Sequence, residues 1–159
     1  MVTVGYIRGG TAQNIIPETV ELGGTMRSYK EPVTALLRER LRSIFENTAR
    51  AFGVEADVSF PAHYTPATVN DPAMSAVVRD VATRLVGAQN VFTDYRMMGS
   101  EDASFFLQVV PGAYVFVGAG NDEQGISEPH HSPRFRIDED ALPTAAALVA
   151  GSALRMLDA

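Results

Sequence analysis

The stretch Thr19–Gly53, TVELGGTMRSYKEPVTALLRERLRSIFENTARAFG, changes from one hydrophobic period to another, and this change decides the fold class. At its start Val20, Leu22 and Met26 alternate with small or polar residues, as in a half-buried strand. From Glu31-Pro32 onward the apolar residues recur at spacings of three and four, the period of an amphipathic helix. The early proline and the final glycine mark the two helix ends. The stretch therefore predicts a strand followed by a long helix in an α/β chain.

Further elements on both sides complete two sections. The first section, β-β-α-β, adds strands at Val2–Ile7 and Ala56–Phe60, and the second section reads α-β-α-β-α. The second section has strands at Asn90–Asp94 and Ala113–Val117 and helices beginning at Asn70-Asp71-Pro72, after Met98–Asp102 and at Asp138–Asp140. Residues 61–71 contain two prolines and no clear period, so we place a boundary near residue 67. The predicted parts are residues 1–67 and 68–159.

The composition limits the class of protein. The chain has 159 residues, 46% hydrophobic and 20% charged, which fits a globular domain and excludes disorder. A net charge of −6 and a pI near 5.0, without a basic stripe, disfavour nucleic-acid binding. The absence of cysteine excludes disulfides and thiolate metal sites within the chain. We see neither a membrane-spanning run nor a secretory signal, and expect a cytoplasmic protein.

Two adjacent histidines, His130 and His131, follow the second predicted strand of the second section. Loops at the ends of buried strands are where α/β proteins tend to bind ligands, and neutral imidazole is a common metal ligand. Spacing alone favours the plainer interpretation, a pair of exposed loop histidines.

Four other residues each allow a functional and a structural interpretation. Glu101 and Asp102 form either a catalytic or metal-associated pair or the acidic first turn of a helix, and the second is favoured. Arg27 is either a carboxylate clamp or an edge-strand arginine that faces water. Asn14 is either a donor to a substrate oxygen or a turn asparagine.

The order of several short motifs resembles the M20 metallopeptidase family. The branch it resembles most contains the amidohydrolases that cleave N-acyl amino acids, hippurate and auxin–amino-acid conjugates. The matching segments, which span nearly the whole chain, are Gly9–Pro17, Glu21–Arg27, Thr68–Asp71, Met98–Asp102, Pro129–Phe135 and Ile137–Leu142. Each segment alone is weak, but the series is specific.

This resemblance implies two domains. Residues 1–67 are similar to the last β-β-α-β of a ferredoxin-like lid domain, which in the family also makes the homodimer. Residues 68–159 are similar to the C-terminal portion of the catalytic α/β domain. We therefore expect an α/β fold with an α+β lid portion, and a homo-oligomer.

The resemblance also implies roles for the candidate residues. His131 matches a metal ligand of the family, and Arg27 and Asn14 match lid residues that reach the substrate. Glu101, Asp102 and His130 are expected to line the pocket. The family mechanism uses a metal-bound hydroxide to attack the amide carbonyl of an N-acyl amino acid or peptide-like substrate. Zinc or manganese is the expected metal, with cobalt or nickel as alternatives.

The family's first half has no counterpart in this sequence. That half supplies the general base, most metal ligands and a lid histidine, so no catalytic residue is assigned here. We expect the chain alone to bind no metal and to be inactive. It is then the C-terminal fragment of an amidohydrolase. The alternatives are a non-catalytic dimerisation or assembly module, and one half of a split enzyme whose N-terminal half is a separate chain.

Overall fold

The computed structural model describes residues 1–158, which form a mixed α/β arrangement. The elements are strands β1 (Val2–Gly9) and β2 (Val20–Met26), helices α1 (Glu31–Ala51), α2 (Pro72–Val86), α3 (Ala103–Leu107) and α4 (Ala141–Leu157), and a 3₁₀ turn at Ala88–Asn90. They divide into two compact units. The first unit is Met1–Ala67 with Met97–Asp102, and the second is Thr68–Arg96 with the chain from Ala103 onward. No helix within residues 1–158 is long and apolar enough to cross a membrane.

The first unit is built on an antiparallel hairpin of β1 and β2 with one irregularity. Val4 pairs with Gly24, but Tyr6 pairs with Gly23, so Gly5 is an extra residue in β1. The two glycines of β2 are needed here because the two strands approach each other closely. A Cβ atom on Gly24 would overlap the carbonyl of Thr3, and one on Gly23 would overlap the Tyr6 ring.

Helix α1 begins and ends where the sequence predicts. Proline lies in its first turn, and Gly53 follows it with φ of +72°. The Gly53 amide donates to the Arg50 carbonyl at 3.1 Å, and the Val54 amide donates to the Ala49 carbonyl at 3.0 Å. These paired bonds form a Schellman motif, which needs a left-handed residue at the glycine position.

The prediction of a strand at Ala56–Phe60 is wrong. This segment pairs with no strand among the described residues. Its end packs instead on α1: the Arg38 guanidinium lies 4.4 Å from the Tyr64 ring centre and 5.6 Å from that of Phe60. The Tyr64 hydroxyl donates to Glu31, and this bond raises the Tyr64 pKa. The backbone groups of a strand need a neighbouring strand as their hydrogen-bond partner. This segment has no such neighbour and is held by side-chain packing instead.

The second unit is built on the packing of α2 against α4. Val78, Val81 and Leu148 form its buried core, and a Cβ atom on Gly151 would lie 3.0 Å from a methyl group of Val81. As predicted, Asp71 caps α2. Its carboxylate accepts from the Ala73 amide at 2.8 Å and from the Met74 amide at 2.9 Å.

The predicted strands at Asn90–Asp94 and Ala113–Val117 are also wrong, since neither has a strand partner within residues 1–158. In the second case a side chain takes the place of a strand. The Asn70 amide group donates to the Tyr114 carbonyl and accepts from the Tyr114 amide, both at 2.8 Å. The Asp71 amide extends this contact by donating to the Gly112 carbonyl at 2.9 Å. Asn70 therefore fixes the apolar segment to the start of α2.

Candidate functional site

The two histidines occupy the middle of a tight turn in the second unit. The Ser132 amide donates to the Pro129 carbonyl at 3.2 Å, which places His130 and His131 at the two central positions. His131 has φ of +68°, the only positive φ of a non-glycine residue in the described chain. This position of a type II turn normally holds glycine or asparagine. Left-handed backbone costs other residues about 1–2 kcal/mol, so the surroundings must hold the turn.

The two imidazoles have different surroundings. The His130 ring contacts Phe135 edge-on, with ring centres 4.9 Å apart and planes at 85°. Both residues are exposed, and no aromatic ring packs on His131 within residues 1–158. Within residues 1–158 no group forms a hydrogen bond or ion pair with the His131 ring. The His131 imidazole is therefore available to a ligand, and the two rings differ in that only His130 packs on an aromatic ring.

Glu128, which the sequence analysis did not single out, bonds to both sides of this turn. One carboxylate oxygen accepts from the Ser132 hydroxyl at 3.1 Å, and the other forms an ion pair with Arg134 at 2.6 Å. The Ser132 hydroxyl oxygen also accepts from the Arg134 amide at 3.2 Å. No motif marks Glu128, because its role depends on how the loop turns back.

Arg27 follows β2 in the first unit and is half-buried. Its backbone closes the open end of the hairpin: its amide donates to the Met1 carbonyl at 2.9 Å, and the Met1 amino group donates to its carbonyl at 2.7 Å. One guanidinium nitrogen donates to the Met98 carbonyl. No carboxylate among the described residues pairs with Arg27. The Arg27 side chain therefore forms no ion pair with a carboxylate among these residues. Because it bonds to the Met98 carbonyl, it is not a freely hydrated edge arginine either.

The contact with Met98 brings Arg27 to the segment that carries the predicted acidic pair. Glu101 is half-buried and Asp102 is exposed, immediately before α3 begins at Ala103. Both belong to the first unit, together with Asn14. Asn14 is exposed in a turn closed by the Ile15 amide and the Ala12 carbonyl at 3.3 Å. The first unit thus holds Arg27, Asn14 and the acidic pair, whereas the histidines belong to the second unit.

The donors present do not make a metal site. Within residues 1–158 no three His, Cys, Asp or Glu side chains form a group that could hold an ion. Zinc sites need about three protein ligands even when they are catalytic. His131 alone does not meet this requirement.

The loop that precedes the histidine turn is anchored to the start of α4. Asn121 donates its side-chain amide to Asp138 at 2.6 Å, and the Asp138 amide donates to the Ala119 carbonyl at 2.8 Å. Hydrogen bonds from Asn121 and from the Asp140 amide, in that order, lower the pKa of Asp138 below its usual value of 3.8. These bonds fix the chain on both sides of the turn.

Known proteins resemble this chain over its whole length. Residues 3–155 match the peptidase family M20/M25/M40. The chain is 35% identical to "IAA-amino acid hydrolase ILR1-like 6" of Arabidopsis thaliana over 99% of its own length and 35% of the relative. It is 32% identical to "N-acetyl-L-cysteine deacetylase" of Bacillus subtilis (strain 168), covering 99% of the chain and 36% of that protein.

A solved structure gives the same result. The Bacillus subtilis YXEP protein, described as a dinuclear metal-binding peptidase from the M20 family, superimposes with a TM-score of 0.85 at 28% identity. The match covers 99% of this chain and 42% of that one. The chain spans about one third of the length of the curated relatives it matches. Because the family match extends over almost every residue, the chain belongs to the peptidase family M20/M25/M40.

Proposed function

We propose that this chain is the C-terminal part of a metal-dependent amidohydrolase. The complete enzyme hydrolyses the amide bond of N-acyl amino acids or related small conjugates. The observation that carries the proposal is the family match over residues 3–155. Support for the substrate class comes from relatives named for the hydrolysis of amino-acid conjugates and of N-acetyl-L-cysteine.

In this proposal Arg27 binds the carboxylate of the substrate. The support is its half-buried guanidinium, which donates to the Met98 carbonyl and meets no carboxylate within residues 1–158. A planar guanidinium has five donors, so one edge can hold a carbonyl while another pairs with a carboxylate. Asn14 donates to an oxygen near the scissile amide, and Glu101, Asp102 and His130 line the pocket.

His131 supplies one ligand to a metal centre that other parts of the complete enzyme finish. Its exposed imidazole, free of partners in the described chain, supports this role. A divalent metal is favoured by the dinuclear metal-binding neighbour. Zinc or manganese suits imidazole and carboxylate ligands, and cobalt and nickel are alternatives. The chain alone lacks the donors for such a centre and is expected to be inactive.

A second candidate is a non-catalytic assembly module, and the exposed apolar side chains favour it as the alternative. Within residues 1–158 large hydrophobic side chains are exposed in both units, among them Ile16 at 94% in the first and Phe92 at 79% in the second. Exposed apolar side chains in large number mark surfaces that associate with another chain. The other alternative is a split enzyme, in which a separate N-terminal chain would cover the same surface.

A chimera separates these proposals. The matching segment of the Bacillus subtilis N-acetyl-L-cysteine deacetylase is replaced by this chain, and amino-acid release from N-acetyl-L-cysteine is measured with zinc or manganese. We expect the chimera to hydrolyse the substrate and the isolated chain to be inactive. The paired variants are His131→Ala, which should lower the rate by more than about a hundredfold, and His63→Ala, an exposed histidine of the first unit, which should keep it.

Two outcomes would contradict the proposal. A folded, metal-loaded chimera without activity would favour the assembly module. Full activity after His131→Ala would remove His131 from the metal centre. Arg27→Gln tests the carboxylate site separately, because it should raise KM much more for substrates with a free carboxylate than for their methyl esters.

A further inference from the structure

We propose that Glu128 is a positioning residue for His131. Its carboxylate braces the turn in the one backbone conformation that presents the His131 imidazole to a ligand while His130 packs on Phe135. The inference rests on the ligand role of His131 proposed above, but the brace itself is a property of this turn.

The need for a brace follows from the turn. His131 has φ of +68° at a position that favours glycine, so the turn is strained without outside contacts. The single bond between the Ser132 amide and the Pro129 carbonyl is long, at 3.2 Å. A turn closed only by that bond would relax toward negative φ at His131. Such a change would redirect the His131 side chain, because the direction of Cβ follows the backbone.

Glu128 supplies contacts on both sides of the strained residue. Its bond to the Ser132 hydroxyl, at 3.1 Å, reaches across the turn from the residue before Pro129. Its ion pair with Arg134, at 2.6 Å, holds the chain that leaves the turn. Arg134 is largely exposed, so this ion pair alone contributes little. One carboxylate that holds two points at once restricts the turn more than either bond would.

The same contacts give each oxygen of the Glu128 carboxylate a partner within the loop, one to Ser132 and one to Arg134. The neighbouring imidazole of His130, in a residue that is also exposed, contacts Phe135 edge-on with ring centres 4.9 Å apart. The turn therefore gives two adjacent and chemically identical side chains different contacts, since His130 packs on an aromatic ring and His131 does not.

Nuclear magnetic resonance of the 159-residue chain tests the brace directly. A positive φ brings the amide proton close to its own Hα, so the wild-type chain should show a strong intraresidue cross-peak at His131. Glu128→Ala should weaken this cross-peak and speed hydrogen exchange of the Ser132 amide about fivefold. Glu128→Gln, which keeps the shape but not the charge, should give a smaller change. Glu123→Ala, an exposed glutamate in the preceding loop, is the control and should change neither signal.

A rescue experiment separates positioning from a general effect on folding. Glycine adopts positive φ without strain, so His131→Gly in the Glu128→Ala background should restore the protection of the Ser132 amide. Failure of this rescue would mean that Glu128 stabilises the fold and not the turn. A wild-type chain without the strong cross-peak, or one whose cross-peak survives Glu128→Ala, would overturn the proposal. These signals do not depend on metal or activity, so an inactive chimera would remove the proposed function and leave the brace standing.

Discussion

At the scale of single residues, side-chain amides hold loop segments of this chain in place. Asn70 pairs with both backbone groups of Tyr114, and Asn121 joins its loop to Asp138. Both asparagines lie in loops, where the chain has no strand ladder to satisfy its polar groups. Each therefore fixes a segment that the secondary structure leaves free.

We expect Asn70→Ala to lower the unfolding free energy of the second unit by about 1–2 kcal/mol, because two hydrogen bonds are lost at once. Asn70→Asp keeps the acceptor for the Tyr114 amide and should cost about half as much. Chemical denaturation measures both variants. Equal losses for Ala and Asp would show that the donor bond to the Tyr114 carbonyl carries the effect alone.

Asp138 should make the second unit sensitive to acid. Its folded pKa lies below 3.8 because Asn121 and the Asp140 amide donate to the carboxylate. The unfolded chain then binds the proton at a higher pH than the folded chain does. The stabilisation is fully present above pH 3.8 and is lost as the pH falls from there through the folded pKa. Asp138→Asn should remove this part of the acid dependence.

Thermal unfolding between pH 5 and pH 2 measures the difference. Asn121→Ala removes the main cause of the lowered pKa and should flatten the pH profile in the same direction as Asp138→Asn. Identical slopes in the wild type and in both variants would rule out a role for this pair in acid stability.

At the scale of elements, the hairpin depends on two glycines that let its strands cross closely. A Cβ atom at position 24 would overlap backbone of the opposite strand, which cannot move aside as a side chain can. The Tyr6 ring lies over the other glycine, and its hydroxyl donates to Glu21 at 2.6 Å. The hairpin register is therefore set partly by where side chains are absent.

Gly24→Ala should destabilise the hairpin by about 1–3 kcal/mol, as overpacking against fixed backbone does. Gly5→Ala is the matched control in the same hairpin: its Cβ would meet the Gly23 carbonyl oxygen at an ordinary 3.6 Å. We expect a nearly unchanged denaturation midpoint for the control. A control as unstable as Gly24→Ala would point to the bulge itself, and not to the close approach.

At the scale of the whole molecule, the amount of exposed apolar side chain sets the behaviour in solution. Buried hydrophobic side chains in the described chain are few: Val78, Val81, Ile126 and Leu148. Many large ones are exposed, among them Ile16 at 94% and Phe52 at 81%. The sheet has only two strands within residues 1–158, so each strand has an unpaired edge. Both features invite association with another chain.

We therefore predict that the isolated chain forms a dimer or a higher oligomer. Sedimentation at low micromolar concentration should give a mass above 17.1 kDa. Because the contact is mainly apolar, raising the salt concentration should not dissociate it. A clean monomer at all concentrations would contradict this prediction. The chimera is the matched control, because the rest of the relative should cover the same apolar surface there.

The local elements could be predicted from the sequence, since their signals act over short distances. The period of α1, its proline start and its glycine end, and the Asp71 cap of α2 were all readable, because each depends on contacts within about a turn of helix. The ordered motifs also identified the family, and with it His131 and Arg27 as candidates.

Tertiary structure decided whatever depends on a distant partner. The apolar runs at Ala56–Phe60 and Ala113–Val117 have strand composition, yet they form no strand in the described chain because a strand requires a neighbour for its hydrogen bonds. The partner of Arg27, the Met98 carbonyl, lies 71 residues away in sequence. Glu128 carries no motif, and its relation to His131 exists only once the loop has folded back on itself. Periodicity records which face of an element is apolar, but only the folded chain brings separate segments within bonding distance.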